Sequence, residues 1–141
     1  MYHPRNNDQG KPVKLLKPST PSDLAAWQDP HAVACVIPDG PMPEAINGIP
    51  VQPWLDHPTT TAAWEALAAS MPIDEPDFVA PAGLKKSAGA VVIEPDGRVW
   101  VVAPSNLFGG YAATFPKGQL DGRSAKAAAL VEVFEECGLR V

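Results

Sequence analysis

Three glutamates near the end of the sequence, Glu132, Glu135 and Glu136, are spaced i, i+3 and i+4. On a helix they share one face, and Leu130, Val133, Phe134 and Cys137 share the opposite one. Ser124 has the chemistry of an N-cap, and Gly138 that of a residue closing a helix in the left-handed conformation. The spacing therefore predicts a short amphipathic helix with its acids bunched in the carboxyl half. The macrodipole disfavours each negative charge there by about 0.3–1 kcal/mol, and Glu132 and Glu136 form a like-charged i, i+4 pair. Ala128, Ala129 and Val131 bring no positive charge to the preceding turn, and Arg140 lies beyond the Gly138 stop. A hard divalent cation with oxygen ligands is the simplest compensation. A solvated acidic face is the other reading of the same residues.

The stretch from Phe115-Pro116-Lys117-Gly118 to Glu132-Val133-Phe134-Glu135-Glu136-Cys137-Gly138-Leu139 resembles the box of the Nudix hydrolase family. That box reads Gly, five residues, Glu, seven residues, then Arg-Glu-apolar-any-Glu-Glu-any-Gly-apolar. Gly118 opens it, and the closing half keeps the family's order and spacing. Two positions depart. Counted from Gly118 the loop is one residue short, so Arg123 or Ser124 stands where the family has its first Glu. Val131 replaces the Arg. Those two family residues pair with each other, so one supporting ion pair is lost at both ends while the three acids stay.

The elements around the box are read from the pattern. Ala88–Ile93, a Pro95-Asp96-Gly97 turn and Val99–Ala103 predict a hairpin, followed by a loop over Ser105–Tyr111. Ala112–Phe115 reads as a brief strand feeding a turn at Pro116-Lys117-Gly118. Upstream, Thr59–Met71 carries Ala62, Ala63, Trp64, Leu67, Ala68 and Met71 at helical spacing behind a threonine cap. Asn47-Gly48 marks a tight turn in which Pro50 permits only an edge strand. His31–Ile37, bounded by Pro30 and Pro38, reads as a buried strand, and Ser22 as the start of a two-turn helix ending before Pro30. The first 20 or so residues read as a polar arm bearing Lys11, Lys14 and Lys17, and Pro72–Leu84 as linker.

The 141 residues carry a net charge of −5, which argues against a general nucleic-acid or anionic-membrane binder. No apolar run reaches the roughly 18 residues of a membrane span, and the polar start is no secretory signal. Cys35 and Cys137 lack metal-type spacing and read as free thiols of a cytoplasmic protein. His3, His31 and His57 read as surface or boundary residues. Of 17 prolines, 14 precede Leu84. The organisation this predicts is a Pro-rich extension with short helices and strands over 1–84, then the amino-terminal portion of a Nudix domain over 85–141. Trp27, Trp54 and Trp64 predict that the extension buries aromatic surface.

The resemblance implies an α+β fold, an incomplete Nudix-type α/β/α sandwich of a mixed sheet and the box helix. No counterpart of the family's closing strands and second large helix follows the box. That predicts an uncovered apolar face, an oligomer or a missing carboxyl-terminal half. The resemblance further implies hydrolysis of a pyrophosphate bond in a nucleoside diphosphate linked to another moiety. Mg²⁺ or Mn²⁺ would be held by Glu132, Glu135 and Glu136, with the Gly118 carbonyl as a further ligand. Any of the three acids could serve as base, and Lys117 could contact phosphate or be a solvated loop lysine. Three readings stand open: a metal-dependent Nudix hydrolase, a truncated Nudix-like protein without turnover, and a Pro-rich interaction protein.

Overall fold

The computed structural model describes every residue except 1, 5, 7–8, 16–19, 76 and 105–109. Lys17 and most of the expected loop over 105–111 lie outside the described residues. The architecture is α+β: helices combined with small antiparallel two-stranded sheets. Two compact units form, each drawn from separated stretches. The first comprises Met1–Pro53, Ile93–Arg98 and Ala103–Thr114, the second Trp54–Val92, Val99–Val102 and Phe115–Val141.

In the first unit, β1 (Ala45–Ile46) and β2 (Ile49–Pro50) make the hairpin expected at Asn47-Gly48. Both turn residues are left-handed, with φ of 50° and 79°, which suits the right-handed twist of the flanking strands. The two-turn helix expected after Ser22 is a single 3₁₀ turn, Leu24–Trp27. Ser22 does not cap it. Its hydroxyl accepts from the Cys35 N–H at 2.9 Å, and its own N–H donates to the Cys35 carbonyl at 2.9 Å. The expected strand over His31–Ile37 is likewise absent. That pair of bonds at Cys35 is not a ladder, no strand lies beside the run among the described residues, and Val33 is 89% exposed.

Arg98 ties this unit together. It donates to the carbonyls of Ala26 and Trp27 at 3.1 and 2.7 Å and pairs with Asp96 at 2.7 Å. Those bonds satisfy carbonyls at the end of the 3₁₀ turn. They also hold the Asp96 carboxyl below the usual range, chiefly through the Arg98 side chain. The turn at Pro95–Gly97 forms as expected, with the Glu94 N–H donating to Arg98 at 2.8 Å.

In the second unit, α1 (Thr61–Ser70) starts at Thr60, whose hydroxyl accepts from the Ala63 N–H. The spacing of Trp64, Leu67, Ala68 and Met71 turns one side of α1 onto α2 (Ala125–Cys137). Trp64, Ala68, Ala127, Leu130 and Val131 form the core, with Trp54 and Phe134 packed against it. Trp54 meets both Trp64 and Phe134 edge-on, with centroids 5.9 and 5.4 Å apart. Ala127 and Ala128 are fully buried, and small side chains there let neighbouring elements approach α2 closely.

Alongside α2 lie β3 (Ser87–Gly89) and β4 (Lys117–Gln119), paired antiparallel with Ala88 opposite Gly118. This corrects two expectations. The brief strand lies at Lys117–Gln119 rather than Ala112–Phe115, and Gly118 is in extended backbone rather than a turn. Ala88 and Gly89 therefore pair with β4, while further along the Trp100 N–H donates to the Val92 carbonyl at 3.0 Å. Val91, Val99 and Val101 stay 45–54% exposed. Among the described residues no helix is long and apolar enough to cross a membrane.

Candidate functional site

The site is built on α2, whose ends are the ones the sequence marks. The Ser124 hydroxyl accepts from the Ala127 N–H, and Gly138 closes the helix at φ 73° while donating to the Phe134 carbonyl. Two acids from other segments also reach the amino end. Glu65 on α1 accepts from the N–H and the hydroxyl of Ser124 at 2.7 and 2.8 Å. Glu75 accepts from the N–H of Ala125 at 2.8 Å and of Lys126 at 3.4 Å. Lys126 turns back to donate to the Ile73 carbonyl at 2.7 Å. The helix thus starts with its free N–H groups engaged and its dipole complemented. Those bonds, from the Ser124 backbone first, lower the Glu65 carboxyl.

The predicted site residues lie further along. Glu132 is half-buried, and its carboxylate lies against the Cα of Gly118. A Cβ at Gly118 would run into that carboxylate. Glycine matters here for space rather than for backbone conformation, since the backbone is extended and the obstructing atoms are the movable end of the Glu132 side chain. One β-strand residue and one helix residue are thereby locked into a single feature. Burial first, then the charges of Glu136 and Glu135, push the Glu132 carboxyl up to about 7. Arg123 pulls the other way, and Asp121 adds to the repulsion.

Glu136 accepts from the Lys117 backbone N–H at 3.0 Å. Desolvation raises its carboxyl, while that bond and the Lys117 charge oppose the rise. Glu135 is exposed. The three acids share the helix face the periodicity assigns them. As the side chains lie, no group of three His, Cys, Asp or Glu among the described residues is arranged to hold an ion. The donor set nevertheless suits a hard cation, being all carboxylate with no nitrogen or sulfur competing. Val131 is 2% exposed and packs in the hydrophobic core. Cys137 is partly buried, and burial followed by the Glu136 charge pushes its thiol up to about 11.

Glu65, Glu75 and Arg123 are the neighbours that sequence reasoning missed as contributors. Glu75 sits in a stretch that reads as linker, and nothing local signals that it reaches a helix about 50 residues away. No protein-family model matches the chain, and neither the curated proteins nor the solved structures compared with it offer a match.

Proposed function

We propose that the acidic face of α2 binds a magnesium-class divalent cation and serves a Nudix-type hydrolysis of a pyrophosphate bond, in a nucleoside diphosphate linked to another moiety. The observation that carries this reading is the Glu132 carboxylate packed on Gly118. Gly118 and Glu132, 14 positions apart, meet in space although the loop between them is one residue shorter than in the box. A carboxylate held half-buried beside two others is also one whose charged form gains from a cation. Bound there, Mg²⁺ or Mn²⁺ would neutralise phosphate charge and lower the pKa of a water.

The residues of this chain do the rest. Glu135 and Glu136 would turn toward Glu132 as ligands, Glu136 giving up the Lys117 N–H. Whichever of the three acids is not engaged as a ligand would accept the water's proton. Lys117 lies on the strand beside the acids, which supports a contact from its ammonium group to phosphate oxygen. A second reading, a Nudix-like protein without turnover, is favoured by the buried Val131, which offers the acids no charge partner.

Magnesium titration followed by phosphate release from ADP-ribose and diadenosine polyphosphates separates the two. Binding with turnover supports the hydrolase, and binding without turnover supports the second reading. No cation affinity removes both.

A further inference from the structure

The part-buried guanidinium of Arg98 is committed to partners. Arg98 makes hydrogen bonds to Asp96, Ala26 and Trp27. Arg123 is equally half-buried, yet its side chain makes no hydrogen bond or ion pair among the described residues, and its Nε is enclosed with no partner. An arginine left in that state forfeits charge-assisted bonds it could otherwise make.

Arg123 lines an open depression of about 400 Å³ together with Lys85, Lys86, Gln119 and Asp121. Three of the 11 basic residues of a chain with net charge −5 thus meet in one place. Lys85 spans it by donating to Gln119 at 3.0 Å, and Lys86 is held by the Phe78 carbonyl at 2.7 Å. Both ammonium groups retain further donors. Asp121 is the one acid in the lining, and it shares a turn with Arg123, whose N–H donates to Leu120 at 2.9 Å.

We infer that this depression is an oxyanion site that takes the phosphate group of a phosphorylated small molecule, with Arg123 as its principal donor and Lys85 and Lys86 beside it. Its chemistry is opposite to that of the acidic face of α2. Phosphate binds here directly, through planar guanidinium and ammonium donors, with no cation between. Arg123 also lies near enough to Glu65 and Glu132 for its charge to lower both carboxyls. An anion bound in the depression would weaken that influence.

The experiment is calorimetric titration of the whole chain with inorganic pyrophosphate in EDTA, at low and at physiological salt. The expected result is binding that weakens as salt rises, weakens about 10-fold or more in Arg123→Met, and is unchanged in Glu135→Gln. Arg123→Met could also fail to fold. The double variant Lys85→Ala/Lys86→Ala, at two exposed positions, is therefore titrated in parallel and is expected to weaken binding as well. No binding in EDTA overturns the site, as does binding that both basic-residue variants retain in full. Binding lost in Glu135→Gln overturns it too, because the ligand would then lie on the acidic face. Cation affinity and turnover are not read in this titration, so the hydrolase reading can fail without it, and the reverse.

Discussion

At the amino end of α2, two carboxylates borrowed from elsewhere, Glu65 and Glu75, are fully engaged by N–H and hydroxyl groups. In its carboxyl half, three carboxylates of its own crowd one face with a single backbone N–H, that of Lys117, donated to them among the described residues. The same side chain lowers its proton affinity at one end and raises it at the other. The first pair sits where the macrodipole welcomes negative charge, the trio where it does not. Acids that build the helix are thus distinguishable from acids the helix must tolerate, and the tolerated ones are those the spacing nominates for chemistry.

Substitutions can break or sharpen that contrast. The largest effect is expected from Val131→Arg, which puts a charge at a position 2% exposed. An unpaired charge there should cost about 3–5 kcal/mol in urea denaturation, and a variant of full stability would show that the Arg finds an acid. Next come two neutralisations of opposite sign. Glu65→Gln should lose about 1–2 kcal/mol by weakening the bonds to Ser124. Glu132→Gln should gain on the order of 1–2 kcal/mol above neutrality, because the charge it removes is disfavoured in the fold. Equal signs would erase the distinction.

The pH dependence follows from the same two groups. Glu132 holds its proton more tightly folded, near 7, than at the ordinary 4.5. Its contribution is complete below about 4.5 and falls away as pH rises to 7. Glu65 is lowered, so its contribution is present above its ordinary value and lost as pH falls through the folded one. Melts across this range should show the acid-side loss shrink in Glu65→Gln, with Asp96 supplying the remainder, and the neutral-side loss shrink in Glu132→Gln, with Glu136 supplying the remainder.

A smaller change in stability is expected from Gly118→Ala, because the obstructing atoms are the movable end of Glu132. Gly89→Ala, whose Cβ would meet the backbone of Pro116 and Lys117, should cost more. In Gly118→Ala the Glu132 carboxyl should return toward its ordinary range by NMR titration, while the melt barely moves. Smallest of all, Cys137 should react with thiol reagents at pH 8 far more slowly folded than unfolded, since its thiol is pushed up to about 11.

Much of α2 was legible in the sequence. Ser124, Gly138 and the alternation of Glu132, Glu135 and Glu136 with Leu130, Val133 and Phe134 are all local signals, and local signals survive folding when both caps agree with the period. The Asn47-Gly48 hairpin and the Thr60 cap were readable for the same reason. Cys35 and its neighbours were misread because an apolar run announces burial but not a partner strand. Gly118 was misread because a glycine after proline suggests a turn, whereas its real constraint is a side chain arriving from 14 residues on. Glu65, Glu75 and Arg123 were invisible because their roles depend on tertiary proximity, and no spacing encodes that.

The chain alternates between its two units, with Ile93–Arg98 belonging to one and both flanking stretches to the other. No single proteolytic nick or truncation can therefore release either unit intact. A fragment beginning at Lys85 would leave behind Trp64 and Ala68, two of the five buried residues of the core to which α2 contributes. During synthesis the first unit cannot close until residues beyond Ala103 have left the ribosome. Dissection of this protein into parts has to proceed by substitution, because its sequence order and its spatial order are interleaved.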